Sequence, residues 1–486
     1  MAQSSLLVEN STSSRRGFAL LGVAVATLLL LYMLNGGSYL PLLAIIGLAG
    51  AYVVYQASVL TRIDHQWLIV PLVVLAIFIK SFFLGGAPRA AVHYGLTLLF
   101  CLPCVPIMWR RQIFRRGGFE LYAIYFAWAA ITVTYSLAPK FSGLRFLDAI
   151  LVFCAISTIA FEIESAADVG RLVERYLIVC GTFVIIMAFA GVVLPHSITW
   201  YAPELEPNVV LRFRGMLNNP NEVGVLTLAT VAPTLAFWSR LTPHRRKWFA
   251  LMSVLAIAEC AIADSRTPFI AIAIGCVLYL IWRYRLRGIL AMAAIVVLFA
   301  AMLPLFGHDL SEYTSRGDVT TLTGRTEVWA YVIQEIKSRP IVGYGYECAG
   351  AIFQNKYFPI WYGPWEEGAQ SSLHNGYLDH MIGVGVPATL FWLFVVLSPW
   401  WFVMRRKDDP WNLKPVALLI VIPCLIHNMS EASLGDFTGL LGLLFGFAWT
   451  IGERYRSWAL EELQARRQQA LDQMAPAVAM FQAMKG

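Results

Sequence analysis

Apolar runs long enough to cross a lipid bilayer recur along most of this chain of 486 residues. A helix of about 17–22 residues, rising about 1.5 Å per residue, spans a hydrocarbon core of roughly 30 Å. Charged residues make up only 14% of the sequence, against about 25% in a soluble domain. The sequence therefore predicts an all-α, polytopic integral membrane bundle with about fourteen spans. The predicted spans are 18–34, 40–58, 67–84, 92–108, 119–137, 145–161, 176–194, 220–238, 248–263, 268–283, 288–306, 374–403, 413–428 and 437–452.

The loops between the predicted spans alternate in charge. One set carries clusters of arginine and lysine, whereas the short polar turns of the other set, such as 35–39 and 428–436, carry few. Because basic loops stay cytoplasmic, the pattern places the basic set and both termini in the cytoplasm. The net charge of +7 thus orients the chain and does not indicate a nucleic-acid partner. The basic set consists of Arg110, Arg111, Arg115, Arg116, Arg240, Arg245, Arg246, Lys247, Arg283, Arg285, Arg287, Arg405, Arg406 and Lys407.

The predicted transmembrane domain covers residues 1–452, and a cytoplasmic tail follows at 453–486. The tail is rich in Gln, Ala, Glu and Arg and has apolar residues at near-helical spacing, which predicts an amphipathic helix. A solvated extension without chemistry is the simpler interpretation of it. The apolar residues of the tail are Leu460, Leu463, Leu471 and Met474.

The segment 307–373 is predicted to be a long extracytoplasmic loop. It is far longer than an ordinary connection, and loops of this length are usually functional or disordered. Its composition is that of a folded segment: Val332 and Ile336 repeat at helical spacing and predict an amphipathic helix over 325–338. Pro340 is expected to end that helix.

Four arginines are predicted to lie at or near the outer membrane surface, although basic residues of membrane proteins concentrate on the cytoplasmic side. They are Arg212, Arg214, Arg266 and Arg325. The planar guanidinium matches phosphate oxygens with two parallel hydrogen bonds. Arginines that converge from separate helices would form a clamp for a diphosphate. The alternative for each arginine alone is a pair with a lipid phosphate or with a nearby carboxylate.

His374 opens a predicted span directly after the long loop. A histidine at this depth is more often a structural hydrogen-bonding residue than a catalyst. Near the outer arginines, however, the positive field favours the neutral imidazole that a general base requires. Asn375 and Asp379 lie on the adjoining part of the helix and are candidates to orient the ring. His427, with Asn428 beside it at the outer end of another span, is a second candidate.

Three sequence blocks in this order resemble the O-antigen ligase and O-antigen polymerase superfamily. They are Arg212-x-x-Gly215 with Asn218-Asn-Pro-Asn221-x-x-Gly224; Gly324-Arg-Thr-x-x-Trp329 with Pro340-x-x-Gly343-Tyr-Gly345; and His374-Asn-x-Tyr377-Leu378 with Gly383-x-Gly385-x-Pro387. The long loop, which holds the second block and ends at the third, also matches. The motif-bearing region is thus 212–387, and Asn221 and Asn375 are expected to support the site.

The resemblance implies a metal-independent membrane glycosyltransferase that needs no cofactor. Its donor would be a glycan on a polyprenyl diphosphate at the periplasmic face of a bacterial inner membrane, with membrane lipids around it. Carried over from the family, Arg212 and Arg325 would bind the diphosphate and His374 would be the catalytic base. Arg214 and Arg266 are added as substrate-binding residues from the charge argument alone. Arginines aimed at a departing diphosphate stabilise the transition state more than the ground state.

The acceptor stays open at this point. A ligase of lipopolysaccharide biosynthesis moves the finished chain onto a lipid A-core sugar, whereas an O-antigen or exopolysaccharide polymerase extends lipid-linked repeats. A transporter is the less favoured alternative, because it requires ionisable residues along a path at bilayer depth. Lys80 and Glu259 are the clearest residues of that kind, and the sequence shows no internal repeat.

Overall fold

The computed structural model describes residues 68–81, 87–201, 212–285, 287–290, 325–352, 373–431, 434 and 437–483. These residues are mostly helical, with a single two-stranded antiparallel sheet. The helices are α1 Ile69–Ser81, α2 Ala87–Cys101, α3 Cys104–Arg110, α4 Gly118–Thr134, α5 Pro139–Phe161, α6 Ala166–Val193, α7 His196–Thr199, α8 Pro220–Ala236, α9 Pro243–Ile262, α10 Thr267–Tyr284, α11 Arg325–Ser338, α12 Ala349–Ile352, α13 Gly376–Val384, α14 Val386–Arg405, α15 Lys414–His427 and α16 Leu440–Ala483. The strands are β1 Trp200–Tyr201 and β2 Arg212–Phe213.

Four of the described helices, α5, α6, α10 and α14, are long and apolar enough to cross a membrane. Two others, α4 and α15, are shorter and apolar, and α15 contains a π-helical segment at Ala417–Val421. The prediction of a mostly helical chain is confirmed, and the four long helices are candidates to span a membrane. The predicted spans 18–34 and 40–58 and most of 288–306 lie outside the described residues, so the total of about fourteen stays a prediction.

The predicted span 374–403 is not one helix. It is divided into α13 and α14 at Gly385, whose φ of +89° is a conformation that L side chains rarely adopt. The predicted span 92–108 is likewise divided, into α2 and α3, next to Pro103. Proline lacks the amide hydrogen that would continue the helical ladder. Both divisions follow from local backbone chemistry that hydropathy does not report.

The tail that begins at residue 453 is helical, as expected, but it continues the last predicted span without a break. Helix α16 has 44 residues and runs through both segments. The four apolar residues of the tail are all exposed, which fits a helix that leaves the bundle. Their exposed fractions are 47% for Leu460, 52% for Leu463, 48% for Leu471 and 53% for Met474.

Aromatic side chains fill the core between α4, α5, α14 and α16. Tyr122 stacks on Phe153 with ring centroids 4.9 Å apart, and the Trp392 indole donates to the Tyr122 hydroxyl at 2.9 Å. His380 of α13 stacks on Trp392 at 4.7 Å. Buried Trp and Tyr side chains contribute large apolar areas and still find hydrogen-bond partners. This packing ties α13, the helix that follows His374, to the centre of the bundle.

The predicted basic loops meet at one end of the bundle, which we call the basic end. There Arg454 Nε donates to the Ile163 carbonyl (3.0 Å), and Arg240 Nη1 donates to the Ala166 carbonyl (3.3 Å). The opposite end, which we call the site end, contains the β1–β2 hairpin, the start of α8, the end of α9 and the start of α13. In the part of the chain that the structure describes, the basic loops and the turn that begins at residue 428 therefore lie at opposite ends, and the assignment of the basic end to the cytoplasm stays a prediction.

Candidate active site

Arg212 lies in the short hairpin at the site end. Residue Arg212 of β2 pairs with Tyr201 of β1, and this pairing aims the guanidinium at the end of α9. Its Nε donates to the Ala263 carbonyl (2.9 Å), and its Nη2 donates to the Asp264 carbonyl (3.2 Å) and to Asn221 Oδ1 (3.0 Å). Carbonyl oxygens that are otherwise left over at a helix end thus fix the position of the arginine.

Asn221 lies in the first turn of α8, where it can reach in two directions. The helix starts with Asn219 as its N-cap, whose side chain accepts from the Asn221 amide at 2.9 Å. The Asn221 carboxamide accepts from Arg212 through Oδ1 and donates through Nδ2 to Glu431 Oε1 at 2.8 Å. A carboxamide carries one acceptor and one donor group, so it can join a cation to an anion in this way.

His374 lies directly before α13, in a left-handed backbone conformation with a φ of +52°. Its Nδ1 is 2.9 Å from Glu431 Oε2, and both side chains are mostly buried, with exposed fractions of 14% and 19%. A proton on Nδ1 lets the ring donate to the carboxylate and leaves Nε2 as the acceptor nitrogen. A carboxylate that fixes the tautomer of a histidine in this manner is the arrangement of a general base with its orienting group.

Glu431 joins the first and third sequence blocks. Its two oxygens contact Asn221 of the first block and His374 of the third, so an unbroken hydrogen-bond chain runs from Arg212 to His374. No motif in the sequence points to Glu431. A weak signal is its place in the polar turn 428–436, four residues after the second histidine candidate, His427. Only the fold shows that this turn faces a histidine 57 residues earlier in the chain.

The four outer arginines have different surroundings. Arg266 Nε pairs with Asp264 Oδ1 at 3.2 Å, and Arg212 binds the carbonyl of the same Asp264, so these two arginines lie close together. Arg214 Nε donates to the Ile198 carbonyl at 3.0 Å, on the α7 side of the hairpin. Arg325 is the first residue of α11, and its side chain lies outside the described residues. A clamp between Arg212 and Arg325 therefore stays a prediction.

Asn375 supports the helix rather than the imidazole. It is the N-cap of α13, and its Oδ1 accepts from the amides of Tyr377 and Leu378, both at 3.1 Å. The second histidine candidate also belongs to the packing: His427 is 1% exposed, and the carbonyl of its neighbour Asn428 accepts from the amide at the start of α13 at 2.8 Å. The orienting group that the structure gives His374 is Glu431, where the sequence had suggested Asn375 or Asp379.

The second and third blocks are joined through their backbones. Tyr344 N donates to the Ile382 carbonyl (2.8 Å), and Val386 N donates to the Pro340 carbonyl (2.8 Å). Gly343, with a φ of +65°, approaches so closely that an added Cβ would lie 2.3 Å from the Gly383 carbonyl oxygen. The glycines of these blocks allow this approach, which a side chain would prevent. As a result, the segment after α11 is fixed against the helix that follows His374.

The remaining reactive groups lie outside the hydrogen-bond chain. Burial, with the nearby Glu347 charge as a smaller cause, raises the pKa of the Cys348 thiol to about 12, which leaves it unreactive near neutral pH. All eight cysteines are free thiols.

Glu259 is 4% exposed, and its carboxylate has no hydrogen-bond partner among the described residues. Within the described ranges, no group of three His, Cys, Asp or Glu side chains could hold a metal ion.

Residues 224–393 match the family model described as O-antigen ligase. This match supports a relation of the segment to the O-antigen ligase superfamily. The segment includes His374, Arg266 and Arg325, whereas Arg212 and Asn221 precede it and Glu431 follows it. No curated protein matches the chain. The match supports glycan transfer of the ligase or polymerase type by a membrane enzyme, with lipid-linked glycans as the substrate class.

Proposed function

We propose that this protein is a membrane glycosyltransferase that moves a glycan from a polyprenyl-diphosphate carrier to an acceptor sugar. The reaction takes place at the site end of the bundle, which faces the periplasm. The favoured reaction is that of an O-antigen ligase, with a lipid A-core sugar as the acceptor. The match to the O-antigen ligase family model supports the reaction class, and the site residues supply the chemistry.

One observation carries the proposal: the hydrogen-bond chain Arg212–Asn221–Glu431–His374. It joins a cation suited to phosphate with a histidine suited to proton removal. Transfer from a diphosphate carrier needs these two functions at one place, because the leaving group and the nucleophile act on the same carbon. A transporter has no comparable need for an oriented base.

His374 acts on the acceptor. Its Nε2 takes the proton of the acceptor hydroxyl while the hydroxyl oxygen forms a bond to C1 of the donor sugar. The bond between C1 and the diphosphate oxygen breaks, and the diphosphate leaves with the electron pair. Glu431 Oε2 stabilises the imidazolium that forms, because it accepts from Nδ1. No group outside the donor, the acceptor and these side chains is needed to balance the step.

The arginines act on the donor. Negative charge builds on the diphosphate as the sugar departs, and guanidinium groups near its oxygens stabilise that charge. Arg212 and Arg325 are proposed to contact the diphosphate, with Arg266 beside Arg212 and Arg214 in a supporting position. Because Arg212 is held by two backbone carbonyls and Asn221, it loses little freedom when the donor binds.

The experiment is a gene deletion in which surface glycans and the lipid-linked pool are analysed together. Complementation uses the wild-type gene and the variant His374→Ala. We expect the deletion to leave long glycan chains on the lipid carrier and to remove them from the acceptor. The wild-type gene is expected to reverse both changes, and His374→Ala is expected to reverse neither.

A different distribution identifies a different reaction. Single repeats in place of long chains would identify a polymerase that shares the same donor chemistry. If the deletion changes neither fraction, and the two complementing genes do not differ, the transferase proposal is wrong. Transport of a lipid-linked glycan would then be the next function to test.

A further inference from the structure

A groove with a volume of about 770 Å³ opens on the surface of the bundle at the basic end. The second half of α14 forms its apolar wall, with Phe394, Leu397 and Trp401 exposed by 60%, 40% and 64%. These residues lie three or four apart and so share one face of the helix. In a membrane, an exposed apolar face of a spanning helix contacts lipid acyl chains.

Three arginines surround the end of this groove. Arg405 and Arg406 come from the end of α14, and Arg456 comes from α16. The Arg405 guanidinium lies 4.3 Å from the centre of the Trp401 ring, and that of Arg406 lies 5.7 Å from the centre of the Phe402 ring. Stacking on an aromatic ring orients a guanidinium, and the Arg405 side chain is exposed, whereas that of Arg406 is partly buried.

Among the residues that the structure describes, Arg405 and Arg406 form no salt bridge, whereas Arg456 does. Arg456 pairs with Glu453 at 2.8 Å and donates to the Ser398 hydroxyl at 3.2 Å. The Arg406 Nη1 atom is buried and has no hydrogen-bond partner among the described residues. The nearby Asp409 carboxylate accepts from the amides at the start of α15, at 2.8 Å and 2.9 Å. The groove therefore combines excess positive charge with an apolar wall.

We propose that this groove binds an anionic phospholipid, with the phosphate at Arg405, Arg406 and Arg456 and an acyl chain along Leu397 and Trp401. Arginine forks match phosphate oxygens, and basic pockets between helices at the membrane surface bind anionic headgroups. Because the sequence predicts that the basic end is cytoplasmic, the lipid comes from the inner leaflet. The twenty residues of α14 place Arg405, at the phosphate end of the groove, about 30 Å from Val386 at the other end of the helix. It is thus distinct from the proposed donor site.

Native mass spectrometry of the detergent-purified, delipidated full chain tests the proposal. Dioleoyl phosphatidylglycerol is compared with dioleoyl phosphatidylcholine, which has the same acyl chains and no net charge. The test variant is Arg405→Gln/Arg406→Gln. The control is Arg110→Gln/Arg115→Gln, which removes two exposed arginines at the same end of the bundle. Melting temperatures without lipid verify that each protein is folded, and Arg405→Gln alone serves if the double variant is not.

The wild type is expected to prefer phosphatidylglycerol. Since each arginine near a membrane surface contributes about fivefold to the binding of an anionic headgroup, the double variant should bind it roughly 30-fold more weakly. The control should remain within about twofold of the wild type, since the groove is intact. Inorganic phosphate at equal ionic strength should leave the lipid bound, because the acyl chain contributes to binding.

Four results would overturn the proposal. The first is equal binding of the two lipids by the wild type. The second is an equal loss in the test and control variants, which would mean that any basic surface suffices. The third is displacement by inorganic phosphate, which would exclude a lipid as the specific ligand. The fourth is a dimer that disappears in the double variant, which would identify a second copy of the chain as the occupant.

Discussion

The two ends of the bundle use arginine in different ways. At the site end, Arg212 is half-buried and is bound to two backbone carbonyls and to Asn221, in a chain that ends at His374. At the basic end, Arg405 and Arg406 stack on aromatic rings beside an open groove. The same side chain is thus fixed in a network at one end and presented to the surroundings at the other.

The contacts that an arginine makes with the protein, more than the end of the bundle at which it lies, indicate what it can bind. A guanidinium with several protein hydrogen bonds is preorganised, so it can recognise a charge that develops during a reaction. A guanidinium that is held by aromatic rings beside an open groove has few protein hydrogen bonds, so its N–H groups suit an anion that is already charged. Loop charge alone predicts which end each arginine occupies, but not which of these roles it has.

The largest effect is expected at His374. The change His374→Ala should lower transfer by about 10²–10⁴-fold, the usual contribution of a general base. Adding Glu431→Gln should lower it little further, because Glu431 acts through the histidine. The measurement is turnover of a lipid-linked donor by the purified protein. His244→Ala, which removes an exposed histidine at the basic end, is the control and should leave turnover unchanged. Independent, multiplicative losses would show that the two residues do not form one unit.

Glu431→Gln alone should lower kcat by about 100-fold and leave KM for the donor nearly unchanged. The physical reason is the tautomer: a carboxamide can donate to Nδ1, which moves the imidazole proton to Nε2 and removes the base. Steady-state kinetics over a range of donor concentrations measures both constants. Glu174→Gln removes a carboxylate that pairs with Arg245 at the basic end (2.9 Å) and is the matched control. A raised KM with a normal kcat would assign Glu431 to donor binding.

Arg212→Lys keeps the charge and removes the fork. We expect a loss of about 10–150-fold in kcat/KM, because hydrogen bonds of a charged group contribute about 1.5–3 kcal/mol. The same exchange at the basic end, Arg246→Lys, also removes a bond to a carbonyl, that of Ser239 at 3.0 Å, and should be neutral. If Arg212→Lys is neutral as well, the hydrogen bonds of Arg212 contribute no more to turnover than those of Arg246 at the basic end.

The smallest effect on chemistry is expected at Gly385, where the consequence is one of stability. An added Cβ would lie 2.0 Å from the Ile341 carbonyl oxygen, at a φ of +89°. Gly385→Ala should therefore lower the free energy of unfolding by about 1–3 kcal/mol. The melting temperature in detergent reports the change. Gly170→Ala, in α6 with nothing within 4 Å of the added Cβ, should be neutral or stabilising. Equal melting temperatures would mean that the contact between the second and third blocks contributes little.

Much of the site was accessible from the sequence. The blocks around Arg212, Asn221 and His374 were singled out, and the structure joins these three residues through hydrogen bonds. The division of the predicted span 374–403 could not be predicted from hydropathy, because a hydropathy profile does not distinguish Gly385 from the apolar residues around it. Glu431 was also missed, since a glutamate in a polar turn has no local feature that distinguishes it from a solvated one.

The amino-acid sequence alone predicts a helical chain with membrane-spanning segments. The length of each apolar run and the charge of each loop are local properties, so they can be read without knowing how the helices pack. The sequence also determined which residue types carry the chemistry. The tertiary structure alone decided which partners meet: Glu431 contacts His374 across 57 residues, and Arg212 contacts the end of α9 across 51. Hydrogen bonds act over about 3 Å, so such partnerships depend on how helices pack and not on the residues near them in the chain.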